Sequence, residues 1–129
     1  MSRPTIAMLT DFGLDDTYVG LMKCVVSDIA PDCRIIDLCH DVPPQNILSG
    51  AYLTATAVPY LPEGAVLMNV VDPGVGSQRR AIACDMGGYT LVGPDNGIFD
   101  LVFRHHKPLA VHAIQNDDFF LDDVSSTFH

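Results

Sequence analysis

An α/β fold, with a largely parallel sheet flanked by helices, follows from three features of the 129-residue sequence. Short apolar runs alternate with segments of helical period, the runs end in loops rich in Gly, Pro and Asp, and no repeat or linker divides the chain. With 48% hydrophobic and 18% charged residues, the material suffices for one core, so residues 1–129 read as a single domain.

The elements follow in order. Thr5 to Leu9 reads as a first strand buried on both faces, ending at Thr10-Asp11-Phe12-Gly13. From Asp16 onward, Tyr18, Met22, Val25 and Ile29 share one helical stripe, with Lys23 and Ser27 opposite. Pro31 stops that helix, because proline has no amide hydrogen and restricts the residue before it. Arg34 to Cys39 reads as a second buried strand, and two prolines in His40-Asp41-Val42-Pro43-Pro44 force a loop. Asn46 is placed to cap a helix from about Ile47, with Ile47, Ala51, Thr54 and Val58 on its stripe. Pro59 and Pro62-Glu63-Gly64 close it. Ala65 to Val71 has the strongest buried-strand pattern and runs into the turn-rich Asp72-Pro73-Gly74-Val75-Gly76-Ser77. Arg80 to Asp85 and Tyr89 to Val92 pair around Gly87-Gly88 as a hairpin. Pro94-Asp95-Asn96-Gly97 opens a short helix carrying Ile98, Leu101 and Val102, and a last strand near Leu109 to Ile114 leads to the acidic Asn116-Asp117-Asp118.

Charge narrows the function. Sixteen acidic against seven basic residues give a net charge of -9, which repels phosphate backbones; a cationic or neutral small ligand fits better than nucleic acid. No apolar run approaches the ~20 residues of a membrane span, and Met1-Ser2-Arg3-Pro4 leads into a strand rather than a signal peptide, so the expectation is a cytoplasmic protein with no membrane partner. Cys24, Cys33, Cys39 and Cys84 form no C-x-x-C pair, which gives no support for a metal knuckle or redox dithiol. Cys24 and Cys39 lie in apolar runs and read as small buried hydrophobes.

In open α/β sheets ligands gather outside the carboxyl ends of the strands. Two acidic loops fall there. In the first, Asp11 stands just beyond a strand, where its oxygens could accept both hydroxyls of a ribose cis-diol, and Asp16 could pair with a ligand ammonium. The plainer reading is that Asp15 or Asp16 caps the following helix. In the second, Asp72 and Arg79 are separated by two glycines, so a tight turn could bring the guanidinium back to hold the carboxylate ionised. The competing reading is a structural ion pair. The loop lacks a P-loop pattern, and no G-x-G-x-x-G occurs. Of the histidines, His105, His106 and His112 read as exposed polar residues, and His40 as structural in preference to catalytic.

Thr10-Asp-Phe-Gly13 with Asp16-Thr-Tyr-Val-Gly-Leu-Met-Lys23, Ile36-Asp-Leu-Cys-His40, Val70-Val-Asp-Pro-Gly-Val-Gly-Ser-Gln-Arg-Arg80, Pro94-Asp-Asn-Gly97 and Ser126-Thr-Phe-His129 together resemble, in this order, the S-adenosyl-L-methionine (SAM) hydroxide adenosyltransferases, hydrolase relatives of the fluorinating and chlorinating enzymes. The resemblance spans essentially the whole chain. It implies a Rossmann-like three-layer N-terminal domain, followed in the family by a smaller β-rich domain. It further implies a homotrimer that binds SAM between the N-terminal domain of one subunit and the C-terminal domain of the next. The implied reaction is attack of water on ribose C5′, releasing adenosine and L-methionine; SAM is the substrate, and neither cofactor nor metal is implied. Asp72, Arg79 and His129 match the family's water-handling triad. Asp11 matches the acid that holds the ribose diol, Asp16 an acid near the methionine end, and Thr127 and Phe128 residues lining the pocket beside the reacting carbon.

The family pattern continues past Thr-Phe-His with Gly-Arg-Asp and then a second domain, and neither is in this sequence. The expectation is an N-terminal domain alone, whose adenine contacts come from a C-terminal domain or a separate chain, and which does not turn over SAM by itself. Two alternatives stand beside hydrolysis. A halogenase of the same superfamily is disfavoured because a carboxylate at Asp72 would repel a halide. A non-catalytic adenosine- or SAM-binding module is the other.

Overall fold

The computed structural model describes residues 3–72 and 80–115. The order of elements is β1 (Thr5–Thr10), α1 (Tyr18–Ile29), β2 (Arg34–Cys39), α2 (Ile47–Ala57), β3 (Ala65–Val70), β4 (Ala81–Asp85), β5 (Tyr89–Pro94), α3 (Asp100–His105) and β6 (Ala110–Ala113), with a single 3-10 turn at Val58–Tyr60. The strands form one mixed six-stranded sheet in the order β2-β1-β3-β5-β4-β6. Pairing is parallel from β2 through β1 and β3 to β5, and β4 runs antiparallel to both β5 and β6.

The anticipated elements form close to their expected bounds, and local chemistry explains the ends. The Asn46 side chain accepts the Ser49 N–H and caps α2. The β4–β5 hairpin turns at Gly87, whose φ of 94° suits glycine, while the Asp85 carboxylate accepts the Gly87 N–H.

The two faces of the sheet are covered unequally. One face of β3 is buried through Ala65, Leu67 and Asn69, while the alternate residues Val66, Met68 and Val70 are half-buried. The buried side belongs to a core of Leu9, Val42, Leu67, Val71, Ile82, Cys84, Leu91, Ile98, Phe99 and Val102 under α2 and α3. Right-handed crossovers place α1 on the opposite face from α2, because β1 to β2 and β2 to β3 run in opposite directions along the sheet.

Three expectations are corrected. β2 is an exposed edge strand rather than a buried one; Ile36 and Leu38 are both exposed. The stripe of α1 is rotated: Val19 is its buried residue, Tyr18 and Ile29 are exposed, and Lys23, expected on the outer side, pairs with Asp37 of β2. An aliphatic pattern gives the period of a helix, but which side faces the sheet depends on the packing of neighbours distant in the chain. Cys24 is exposed and Cys39 half-buried, so only Cys84 among the four is buried; the first two sit on α1 and β2, the thinly covered end of the sheet.

Candidate active site at the carboxyl edge of the sheet

The parallel register brings the two acidic loops side by side. Thr10 of β1 pairs with Val70 of β3, so Asp11 and Asp72 stand one and two residues beyond paired positions on adjacent strands, which lie ~4.8 Å apart. Next along the same edge β5 ends at Pro94, paired with Ala81 at the start of β4, and the Asp95 N–H donates to the Arg80 carbonyl at 2.8 Å. This is the crevice position where α/β sheets bind ligands.

At the Asp11 corner the chain is folded back by side chains. The Phe12 N–H donates to Thr10 Oγ1 at 3.2 Å, and the Gly13 N–H to the His40 carbonyl at 2.7 Å. Asp11, itself half-buried, accepts the Gln45 N–H on Oδ2 at 2.6 Å. Gln45 has φ 60°, the one positive value on a non-glycine residue among the described residues. A left-handed glutamine costs of order 1 kcal/mol, and here it aims an amide at a carboxylate. Below the turn, His40 Nδ1 meets Thr10 Oγ1 at 2.8 Å and Nε2 meets Asp37 Oδ1 at 2.8 Å, while Lys23 Nζ lies 2.6 Å from Asp37 Oδ2. Partial burial pushes the Asp37 carboxyl up, but hydrogen bonds from His40 and Lys23 and the lysine charge outweigh it, leaving its pKa below the ordinary value. His40 is thus structural, as its lack of a sequence partner suggested, and His105, His106 and His112 are exposed.

At the Asp72 corner the backbone is held by amide side chains. The β3 ladder ends at Val70 toward β1 and at Met68 toward β5. Beyond it, Asn69 Oδ1 accepts the Val71 N–H at 3.1 Å and Asn96 Nδ2 donates to the Val71 carbonyl at 3.2 Å. Asn69 is fully buried and donates to Thr54 Oγ1 at 2.6 Å; Thr54 in turn donates to the Gly50 carbonyl of α2. Asn96 Oδ1 accepts the Ile98 N–H. Gly93 permits this closeness, because a Cβ there would lie 2.7 Å from the Asn69 carbonyl oxygen and 2.9 Å from the Phe99 ring. Asp72, 7% exposed, follows directly.

Asp16 is exposed and accepts the Tyr18 N–H on Oδ1 at 3.0 Å, an Asx turn one residue before Thr17, the N-cap of α1, whose own side chain makes no capping bond. Arg79, Thr127, Phe128 and His129 lie outside the described residues, as does the Asn116-Asp117-Asp118 turn. An open apolar groove lined by Pro43, Leu48, Ser49, Tyr52, Leu53 and Leu101 carries no carboxylate, imidazole, amine or thiol. Among the described residues no group of three or more His, Cys, Asp or Glu is placed to hold a metal ion, and no helix is long and apolar enough to cross a membrane.

Sequence reasoning missed Thr10, Gln45, Asn69 and Asn96 as individual residues. Asn69 carried a signal, being a polar residue inside an apolar strand. Asn96 sat within a recognised motif without a role. Nothing in the sequence marks Gln45, because glutamine is not a residue that favours positive φ.

The chain matches the family model described as the SAM hydroxide adenosyltransferase N-terminal domain over residues 6–129. It is 51% identical over 106 residues to a protein of Thermus thermophilus named (R)-S-adenosyl-L-methionine hydrolase, covering 82% of this chain and 41% of that protein. A more distant likeness, 24% over 150 residues, is to a fluorinase of Nocardia brasiliensis, covering 98% of this chain and 50% of the fluorinase. Among solved structures, an uncharacterized conserved protein from Thermotoga maritima superposes with a TM-score of 0.91 at 36% identity, covering 96% of this chain and 48% of that one. The chain therefore spans about half the length, or somewhat less, of the curated relatives it matches.

Proposed function

Because the chain belongs to the SAM hydroxide adenosyltransferase N-terminal domain family, we propose that the Asp11–Asp72 edge is one wall of a SAM site in an enzyme that hydrolyses SAM to adenosine and L-methionine. The observation that carries this reading is the placement of two carboxylates on adjacent strand ends, one half-buried and one nearly dry. Asp11 takes the ribose hydroxyls with oxygen lone pairs that remain after the Gln45 amide is accepted. Asp16 contributes negative charge on the methionine side, where the helix turn leaves the carboxylate exposed.

The sulfonium of SAM is already a good leaving group, so the protein's task is to exclude bulk water and align one water opposite the C5′–S bond. In this reading Asp72 and Arg79 position that water and His129 helps accept its proton. Oxygen from water becomes the 5′-hydroxyl of adenosine, and the C–S electron pair leaves with methionine. Thr127 and Phe128 line the pocket beside the reacting carbon. A β-rich second domain, in a trimer that of the neighbouring subunit, supplies the adenine contacts. Hydrolysis is preferred over halide chemistry because Asp72 puts a poorly solvated carboxylate where a halide would have to be stripped of water.

The test pairs two measurements. Calorimetry of the 129-residue chain with adenosine should show weak binding that is lost in Asp11→Ala. The chain joined to the C-terminal portion of the Thermus thermophilus relative should release methionine and adenosine from SAM in equal amounts. His129→Ala in that protein should lower turnover and leave adenosine binding intact. Unchanged turnover would remove His129 from the proton transfer, and absent methionine release would refute hydrolysis.

A further inference from the structure

We propose that Thr10 and His40 are positioning residues for Asp11, acting through a hydrogen-bond chain that runs from the ligand-facing turn to Lys23 on α1. The proposal rests on the reading of Asp11 as the ribose-binding acid.

The direction of every bond in the chain follows from what each group can donate. Lys23 can only donate, and it gives a hydrogen to Asp37 Oδ2. Asp37, paired with this ammonium and held ionised at neutral pH, can only accept, so the proton on the His40 ring that meets Asp37 Oδ1 sits on Nε2. In a neutral ring Nδ1 is then the acceptor, and the one hydrogen available to it at 2.8 Å is the Thr10 hydroxyl. With that hydrogen committed, Thr10 Oγ1 presents lone pairs, and the Phe12 N–H donates to it across Asp11. With the ring neutral, the bonds from Lys23 to Thr10 therefore run in one direction only.

His40 holds the other side of the same turn as well. Its carbonyl accepts the Gly13 N–H, so the ring fixes the residue before Asp11 and the backbone fixes the second residue after it. Thr10 is fully buried and His40 is 5% exposed, which keeps water from substituting for either bond. Other charged groups near this turn are Asp11 itself, Asp41 beside His40 and the exposed Asp15 and Asp16, and the bonds of the chain run through Lys23, Asp37, His40 and Thr10. The buried His40 ring thereby sets the hydroxyl that shapes the turn presenting Asp11.

Thr10→Val is the discriminating substitution, because it keeps the branched shape preferred in a strand and deletes only the hydroxyl. Thr10→Ser restores it. In calorimetry with adenosine, Thr10→Val should bind about tenfold more weakly than wild type, the effect of losing one buried hydrogen-bond partner, while Thr10→Ser stays within about twofold. A ligand-free check comes from long-range 1H–15N spectra, in which the neutral form of the His40 ring should be the Nε2–H tautomer in wild type. Thr10→Val binding as tightly as wild type, Thr10→Ser binding as weakly as Thr10→Val, or a His40 ring protonated on Nδ1 alone would overturn the inference. Adenosine binding that is absent from wild type itself would overturn the reading of the site and this inference with it.

Discussion

The two acids at the carboxyl edge are held by different means. The Asp11 corner is secured by a chain of hydroxyl, imidazole, carboxylate and ammonium groups that ends on a partly exposed lysine, together with a strained amide from Gln45. The Asp72 corner is secured by two asparagine amides that take over where the β3 ladder stops, with Thr54 and Gly50 of α2 behind them. The first arrangement leaves its acid half-exposed, since its supports lie beneath and beside the turn. The second suits an acid kept nearly dry, since neutral amides supply hydrogen bonds without adding charge to a buried site. The difference is between a corner tuned by charges near solvent and a corner built into the core.

That contrast implies an order of sensitivity. Asn69→Ala should be the most damaging change, costing about 3 kcal/mol, because it leaves the buried Val71 N–H without its acceptor and takes a donor from Thr54. Urea unfolding checks it, and a cost under about 1 kcal/mol would show that water replaces the amide. Asn96→Asp should cost about 2 kcal/mol: it keeps the acceptor for the Ile98 N–H but sets a carboxylate oxygen against the Val71 carbonyl. Equal stability of this variant and wild type would mean that only the turn at Ile98 matters.

On the Asp11 side the effects are smaller. Gln45→Gly should raise stability by about 0.5 kcal/mol, since glycine adopts the left-handed conformation without strain and retains the N–H given to Asp11. A loss of stability would instead show that the glutamine side chain contributes packing. Lys23→Met should cost no more than about 0.5 kcal/mol, because the lysine pair is partly exposed. The lowered pKa of Asp37 has a definite sign: its contribution is present above the ordinary carboxylate pKa and is lost as pH falls through the folded value. The difference in Tm between wild type and Asp37→Asn should therefore be seen at neutral pH and shrink below about pH 4. A difference that persists in acid would place the role of Asp37 elsewhere.

The sequence carried the fold through its alternation of apolar runs and punctuating prolines and glycines, and the Asn46 cap, the Gly87 turn and both acidic loops were legible in it. Less legible were the properties that depend on neighbours distant in the chain. β2 reads as a buried strand from Ile35-Ile36 and Leu38-Cys39, yet its place at the sheet edge, which leaves Ile36 and Leu38 exposed, is decided by topology. Asp11 and Asp72 were recognisable separately, whereas their adjacency comes from the pairing of Thr10 with Val70, sixty residues apart in the chain. Gln45 and Asn96 act through one backbone group each, and such contacts leave almost no trace in residue type.

The central claim is that this edge forms the water-handling wall of a SAM hydrolase, and isotope transfer tests it most directly. With SAM in 18O-labelled water, the chain joined to the C-terminal portion of the Thermus thermophilus relative should release methionine and adenosine whose 5′-hydroxyl carries 18O. The label should fall away with Asp72→Asn. Methionine release with no label in the nucleoside, or a labelled product formed at the same rate by Asp72→Asn, would contradict the account.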